Sequence, residues 1–136
     1  MLFRSLIKHF EGCKLKAYYC PAGVLTCGWG STGRDILPNT VWTQAYADKR
    51  LVSDASKFLK ATKTICPDLE GAQLAAIADF AYNLGIGRLK ASTLRKRLND
   101  GDMNAAVIEL KKWVNGGGKK LKGLVARRDA EANYLM

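Results

Sequence analysis

The chain reads as an α+β protein: a small antiparallel β lobe near the N-terminus and a larger helical lobe, joined by a long helix with a cleft between them. Two observations predict this. Residues 14–19 alternate in polarity and lead into glycine-punctuated turns up to residue 36, whereas residues 2–10 and nearly everything after Thr43 carry apolar residues at helical spacing. A third is size: 136 residues, 48% of them hydrophobic, are enough for one core of ordinary dimensions but not for several. The expected organisation is therefore one domain over 1–136, with a β lobe at about 11–40 and a helical lobe at about 43–136 on which the helix 1–10 packs.

Leu2, Phe3, Leu6, Ile7 and Phe10 recur on one face of the first helix, and Gly12 ends it. In the segment Lys14–Tyr19, the alternation predicts Leu15, Ala17 and Tyr19 on the buried side of a strand and Lys14, Lys16 and Tyr18 on the other. Pro21-Ala22-Gly23 makes a turn, Val24 to Cys27 a second strand, and Gly28, Gly30 and Gly33 a further bend, so that residues 12–36 form a meander. Thr43 caps a helix running to about Thr62, with Ala47, Leu51, Ala55, Phe58 and Leu59 as its apolar stripe. After Pro67, residues 69–84 give a helix apolar on all sides, the signature of a core helix, closed by Gly85. Helices over Ser92–Asn99, Asp102–Val114 and Leu121–Leu135 complete the chain, with Gly116-Gly117-Gly118 as a joint.

Lys and Arg number 22 against 12 acidic residues, a formal charge of +10, which favours polyanionic partners: nucleic acid, anionic membrane or wall polymers. The late basic clusters, Arg95-Lys96-Arg97, Lys111-Lys112, Lys119-Lys120 with Lys122, and Arg127-Arg128, read either as solvated helix faces or as a surface that attracts such a ligand. No apolar run approaches the roughly 18 residues of a membrane span, and Arg4, Lys8 and His9 interrupt any signal-peptide core. A cytoplasmic product without stable membrane insertion is expected. Cys13, Cys20, Cys27 and Cys66 lack metal-ligand spacing and His9 is the single histidine, so no metal is expected; phosphate-loop and dinucleotide fingerprints are absent, so no cofactor is either. Free thiols are the default in a cytoplasmic chain.

The chemistry-bearing residues converge on one run. Glu11 is the only acidic residue among the first 34, Cys20 follows beside a turn, and Thr26 lies in the second strand. Glu11 sits where a helix ends and next to Phe10. Both the negative end of the helix dipole and the apolar neighbour disfavour its charge, which suits a general acid unless a cation compensates. Taken singly, Cys20 reads as readily as an inert thiol, and Thr26 as a residue of good strand propensity. A nucleophilic Cys20–His9 pair is disfavoured because His9 is predicted to point along the first helix.

Taken together, the run Phe10-Glu11-Gly12, Leu15 to Tyr18, Cys20-Pro-Ala-Gly23-Val-Leu-Thr26-Cys-Gly28-Trp-Gly30-Ser-Thr32-Gly33 resembles the catalytic segment of the phage-type lysozymes, glycoside hydrolase family 24. Phe80-Ala-Tyr82-Asn83-Leu-Gly85, Ser92-Thr93-Leu94, Leu98 to Asp102, Trp113 and Gly123-Leu124-Val-Ala-Arg127-Arg128 resemble that family's helical lobe, in the same order. The resemblance implies a lysozyme-like fold and an endolysin: a muramidase hydrolysing the β-1,4 bond between N-acetylmuramic acid and N-acetylglucosamine in peptidoglycan. It implies Glu11 as the acid, Cys20 at the position that stabilises the transition state or activates water, and Thr26 as a holder of that water. Gly30, Thr32, Tyr82 and Thr93 are implied as substrate contacts, although Tyr82 is equally readable as core packing. Many members carry Asp at position 20 and others Cys, as here; Ser31 stands where many have His.

The same resemblance implies peptidoglycan as the partner rather than nucleic acid, a monomer, and action on the wall from the host cytoplasm after a separate hole-forming protein has opened the membrane. Two alternatives stay open: a lytic transglycosylase, which uses a lone Glu and gives 1,6-anhydro products, and a non-catalytic cationic wall-binding module. Cys13 and Cys27 flank the run, so a disulfide with Cys20 that silences it is a further expectation.

Overall fold

In a computed structural model describing residues 1–136, seven helices and two small hairpins follow the order α1 (Leu2–Glu11), β1 (Lys14–Tyr19), β2 (Leu25–Gly28), α2 (Gln44–Ile65), α3 (Gly71–Leu84), α4 (Ile86–Ala91), α5 (Thr93–Asn99), α6 (Met103–Leu110), β3 (Asn115–Gly116), β4 (Lys119–Lys120) and α7 (Lys122–Asn133). The class is α+β, as the periodicities predict. Each local signal has a visible cause: the Thr43, Ser92 and Asp102 side chains accept from the backbone N–H groups of Tyr46, Arg95 and Ala105, capping α2, α5 and α6. Gly12, at φ 66°, lets the chain leave α1 directly into β1.

The core divides in two. A larger cluster built from α3 to α7 includes Leu69, Ile77, Phe80, Leu89, Leu94, Leu98, Leu110 and Leu135; a smaller one joins Phe3 and Ile7 of α1 to Leu51 and Ala55 of α2 and to Ala75 and Ala78 of α3. Helix α3 is shared by both and is buried without a break from Ala75 to Ala81, which is why its sequence is apolar on every face. The consequence for function is that α1, which ends on Glu11, is docked against the centre of the molecule rather than hanging from the β lobe.

Several expectations are corrected. The helix expected over Asp102–Val114 ends at Leu110, and the glycines at 116–118 belong to a β3–β4 hairpin in which Asn115 pairs with Lys120 and Gly116 with Lys119. A separate helix, α4, occupies a stretch for which the sequence predicts no element. Only two strands of the expected meander form a ladder; the third pass survives as single bridges, Cys27 to Ser31 and Lys16 to Val41. Tyr19, expected on the buried side, is 64% exposed, while Tyr18 is half-buried. The register explains this: Lys14 faces Gly28 but Tyr18 faces Thr26, so four steps of β1 are matched by two of β2. Such a bulge bends the strand, and Tyr18 rather than Tyr19 takes the half-buried side.

Two polar ties hold the β segment to the helices. Arg50 of α2 donates to Asp54 (3.0 Å), to Asp35 (2.6 Å) and to the carbonyl of Thr32 (2.8 Å), and the Ser31 hydroxyl donates to the other oxygen of Asp54 at 2.7 Å. Tyr82 of α3, its ring edge-on to Phe3 and Phe58, donates its hydroxyl to the carbonyl of Trp29 at 2.9 Å. Because phenylalanine would keep that ring packing and leave the Trp29 carbonyl to find water, Tyr82→Phe should lower unfolding free energy by about 1 kcal/mol. Urea denaturation at unchanged m-value is the measurement that checks it.

Candidate active site

Glu11 is the last residue of α1, with 18% of its side chain exposed. Two features fix it. Beneath it lies Gly30, at φ 86°: a Cβ added there would stand 2.7 Å from Glu11 Oε1 and Cδ, so only glycine lets the carboxyl lie so close to the backbone. From the helical side, Arg127 Nη1 donates to Glu11 Oε2 at 2.6 Å. The sequence left open whether a cation meets this carboxyl; one does.

Arg127 belongs to a buried charge cluster that the sequence reading missed. Its Nε and Nη2 donate to the two oxygens of Asp79, each at 2.9 Å, a forked pair with Asp79 wholly buried. Next to it Arg128 donates to Asn83 (2.8 Å) and Glu131 (3.0 Å), with both Arg128 and Glu131 fully buried. The expectation that Arg127-Arg128 lies on a solvated or ligand-attracting face is thus corrected. Both guanidiniums point inward, because charges removed from water persist only when paired.

Of the two wholly buried carboxyls beside these cations, Asp79 and Glu131, one keeps its proton. Burial assigns that role to Glu131, which burial and the neighbouring Asp79 push well above the ordinary carboxylate range. Burial would raise Asp79 as well, but hydrogen bonds from Glu131 and Arg127 outweigh it and hold Asp79 below its ordinary value. The signal that could have found this cluster was a lone acid, Asp79, inside an otherwise apolar helix, with Glu131 one turn after the Arg pair.

The β1–β2 hairpin runs on from Gly28 into the turn whose Gly30 meets Glu11. Cys20 is a half-buried free thiol at its turn, where the backbone N–H of Cys20 donates to the Val24 carbonyl (2.9 Å) and that of Gly23 to the Cys20 carbonyl (2.8 Å). Thr26 is buried and donates its hydroxyl to the Val24 carbonyl at 2.9 Å, so toward any ligand it presents a lone pair. Tyr18, paired with Thr26, lies close enough to Glu11 and Cys20 that, after burial, their charges are the next causes raising its phenol. One hairpin face therefore carries Tyr18 and Thr26, with Cys20 two residues beyond Tyr18 on the same side. Gly117, in the β3–β4 hairpin, lies against the Pro21 carbonyl, so the tips of the two hairpins meet.

The other expected residues divide. Gly30 is at the centre, beneath Glu11. Thr32 has an exposed side chain and gives its carbonyl to Arg50. Tyr82 spends its hydroxyl on Trp29 within the packing between α1, α2 and α3. Thr93 is exposed at the start of α5, and no hydrogen bond or ion pair joins it to Glu11, Cys20 or Thr26. Ser31 binds Asp54, which takes its cation from Arg50. Among the remaining thiols, Cys27 is fully buried with its sulfur against the Leu15 carbonyl, and Cys13 is half-buried beside Gln44. All four cysteines are free.

The family model for phage lysozyme matches residues 8–131, a span that takes in Glu11, the hairpin and the buried arginines. The chain belongs to the phage lysozyme family. It is similar to the endolysin of Bacillus phage B103, 40% identical over 135 residues, covering 97% of this chain and 51% of that protein. It is also 36% identical over 130 residues to the SAR-endolysin of bacteriophage PS119, covering 93% of this chain and 76% of the relative. The chain thus spans about half the length of the Bacillus phage relative. Among solved structures, the muramidase domain of SpmX from Asticaccaulis excentricus superposes with a TM-score of 0.84 at 27% identity, covering 98% of this chain and 94% of that one. The active form of the P1 phage endolysin Lyz gives 0.81 at 25% identity, covering 99% and 83%. The fold of this phage lysozyme family member is accordingly lysozyme-like.

The buried carboxyls yield a test. Glu131 is raised in the folded state, so the stability it lends is fully present at acid pH and is lost as pH rises above its ordinary value near 4.5 through its higher folded value. Glu131→Gln imitates the protonated form. Its melting temperature should lie within about 3 °C of wild type at pH 5 and should fall less than wild type between pH 5 and 8. Differential scanning calorimetry across that range is the check.

Proposed function

We propose that this chain acts as an endolysin-type muramidase, hydrolysing the β-1,4 bond between N-acetylmuramic acid and N-acetylglucosamine in peptidoglycan, with Glu11 as general acid. The observation that carries the reading is the asymmetry of the Glu11 carboxyl. Oε2 is engaged by Arg127, while Oε1 lies over Gly30 and has no hydrogen-bond partner, so Oε1 is the oxygen free to carry and deliver a proton. In the proposed reaction Glu11 protonates the glycosidic oxygen as the C1–O bond breaks. Positive charge develops on the sugar, and a water adds at C1 from the hairpin side. Thr26, its own proton committed to the Val24 carbonyl, accepts a hydrogen bond from that water and orients it. Cys20 takes the position of a second carboxylate, stabilising the cationic sugar or accepting the water's proton.

The same reading extends to context. The net charge of +10 favours encounter with anionic wall polymer. No helix is long and apolar enough to cross a membrane. We take the protein to work as a monomer from the host cytoplasm, reaching the wall through a lesion made by a separate protein.

One observation favours a second reading. The hairpin facing Glu11 offers a thiol rather than a carboxylate, and a lone acid suits a lytic transglycosylase, in which the sugar's own 6-hydroxyl replaces water. Product analysis separates the two. Purified murein digested with wild type should release saccharides with new reducing ends. Glu11→Gln should lose at least about a hundredfold in rate, and Cys20→Asp should stay closer to wild type than Cys20→Ser. Mass spectra dominated by 1,6-anhydromuramic ends would replace hydrolysis with transglycosylation, and an unimpaired Glu11→Gln would remove the acid assignment.

A further inference from the structure

Tyr18 is a polar residue of the cleft to which no role has yet been given. The β1 bulge turns its side of the strand inward, and its partner in register is Thr26. Directly opposed residues of an antiparallel pair project on the same side, so the phenol stands beside Thr26 and shares a face with Cys20. Lys14, one bulge earlier on that side, holds its ammonium 4.3 Å from the centre of the Tyr18 ring, fixing the ring from solvent.

The hydroxyl differs from that of Tyr82, which is tied to the Trp29 carbonyl. No side chain or backbone group of the protein hydrogen-bonds the Tyr18 oxygen, although the residue is half-buried and near enough to Glu11 and Cys20 for both to act on its phenol. A half-buried donor without a protein partner, on the hairpin face that carries Thr26, is suited to a ligand oxygen. Burial and the charges of Glu11 and Cys20 all raise the phenol, so it remains protonated and available as a donor through the neutral range.

We propose that Tyr18 is a substrate-contact residue whose hydroxyl donates a hydrogen bond to an oxygen of the glycan at the scissile linkage, between Glu11 and the Cys20–Thr26 face. The contact rests on the reading of the cleft as a glycan site but not on whether the bond is broken by water or by an internal hydroxyl.

The test uses Tyr18→Phe, which keeps the ring and its contact with Lys14. In a Glu11→Gln background, where turnover is blocked, isothermal titration with soluble uncrosslinked glycan strands reads binding alone. Adding Tyr18→Phe should weaken affinity about three- to tenfold at an unchanged melting temperature, and in the otherwise wild-type enzyme kcat/KM should fall by at least the same factor. Equal affinities with and without the hydroxyl would overturn the Tyr18 contact while leaving the glycosidase reading intact. If wild type neither cleaves murein nor binds the strands, the functional reading fails and the contact fails with it. A drop in melting temperature with no change in affinity would assign Tyr18 to packing only and likewise overturn the proposal.

Discussion

The fork of Arg127 between Asp79 and Glu11 is the constraint on which the rest of the site depends. Asp79 sits in α3, the helix common to both halves of the core, and Arg127 reaches from α7 to bind both of its oxygens. The remaining guanidinium edge then has one direction to point, and Glu11 meets it at 2.6 Å. The position of this helix-end carboxyl is thereby tied to the helix that both halves of the core share. The arrangement puts two cations and three carboxyls where water is scarce, which is tolerable only with every partner in place. Such clusters contribute geometric definition more than net stability.

A second constraint acts from the opposite side. Gly30 brings the backbone up to the Glu11 carboxyl, and Gly28 does the same for the Trp42 ring, whose Cζ3 would lie 2.9 Å from an added Cβ. The β segment is therefore seated on α1 and α2 by close backbone approach as well as by the Arg50–Asp54–Ser31 and Tyr82–Trp29 ties. Glu11 is thus held from the helices, and the hairpin is held separately by these contacts.

Much of this was legible in the sequence, and the exceptions have physical causes. Amphipathic periodicity marked α1, α2 and α3 because each buries one face, or all faces, in the core; the cap at Thr43 is local chemistry and reads directly. Glu11, Cys20 and Thr26 could be singled out as candidates because all three lie within one short helix–hairpin unit. The Tyr18/Tyr19 exchange was illegible because alternation assumes an unbent strand, and nothing local announces the bulge. The Arg127–Asp79 and Arg127–Glu11 pairs were missed because their members lie 48 and 116 positions apart in the chain. An arginine pair on a helix looks like solvent-facing charge until its partners are brought to it.

The most direct measurement is the activity and stability of Arg127→Lys. Lysine keeps the positive charge but cannot bind both oxygens of Asp79 and still reach Glu11 with a third, differently directed donor. If the fork sets the acid in place, turnover on soluble glycan strands should fall by about a hundredfold or more, while the far-ultraviolet circular dichroism spectrum stays that of wild type. An Arg127→Lys enzyme with near wild-type turnover would contradict the account, because a diffuse positive charge near Glu11 would then suffice.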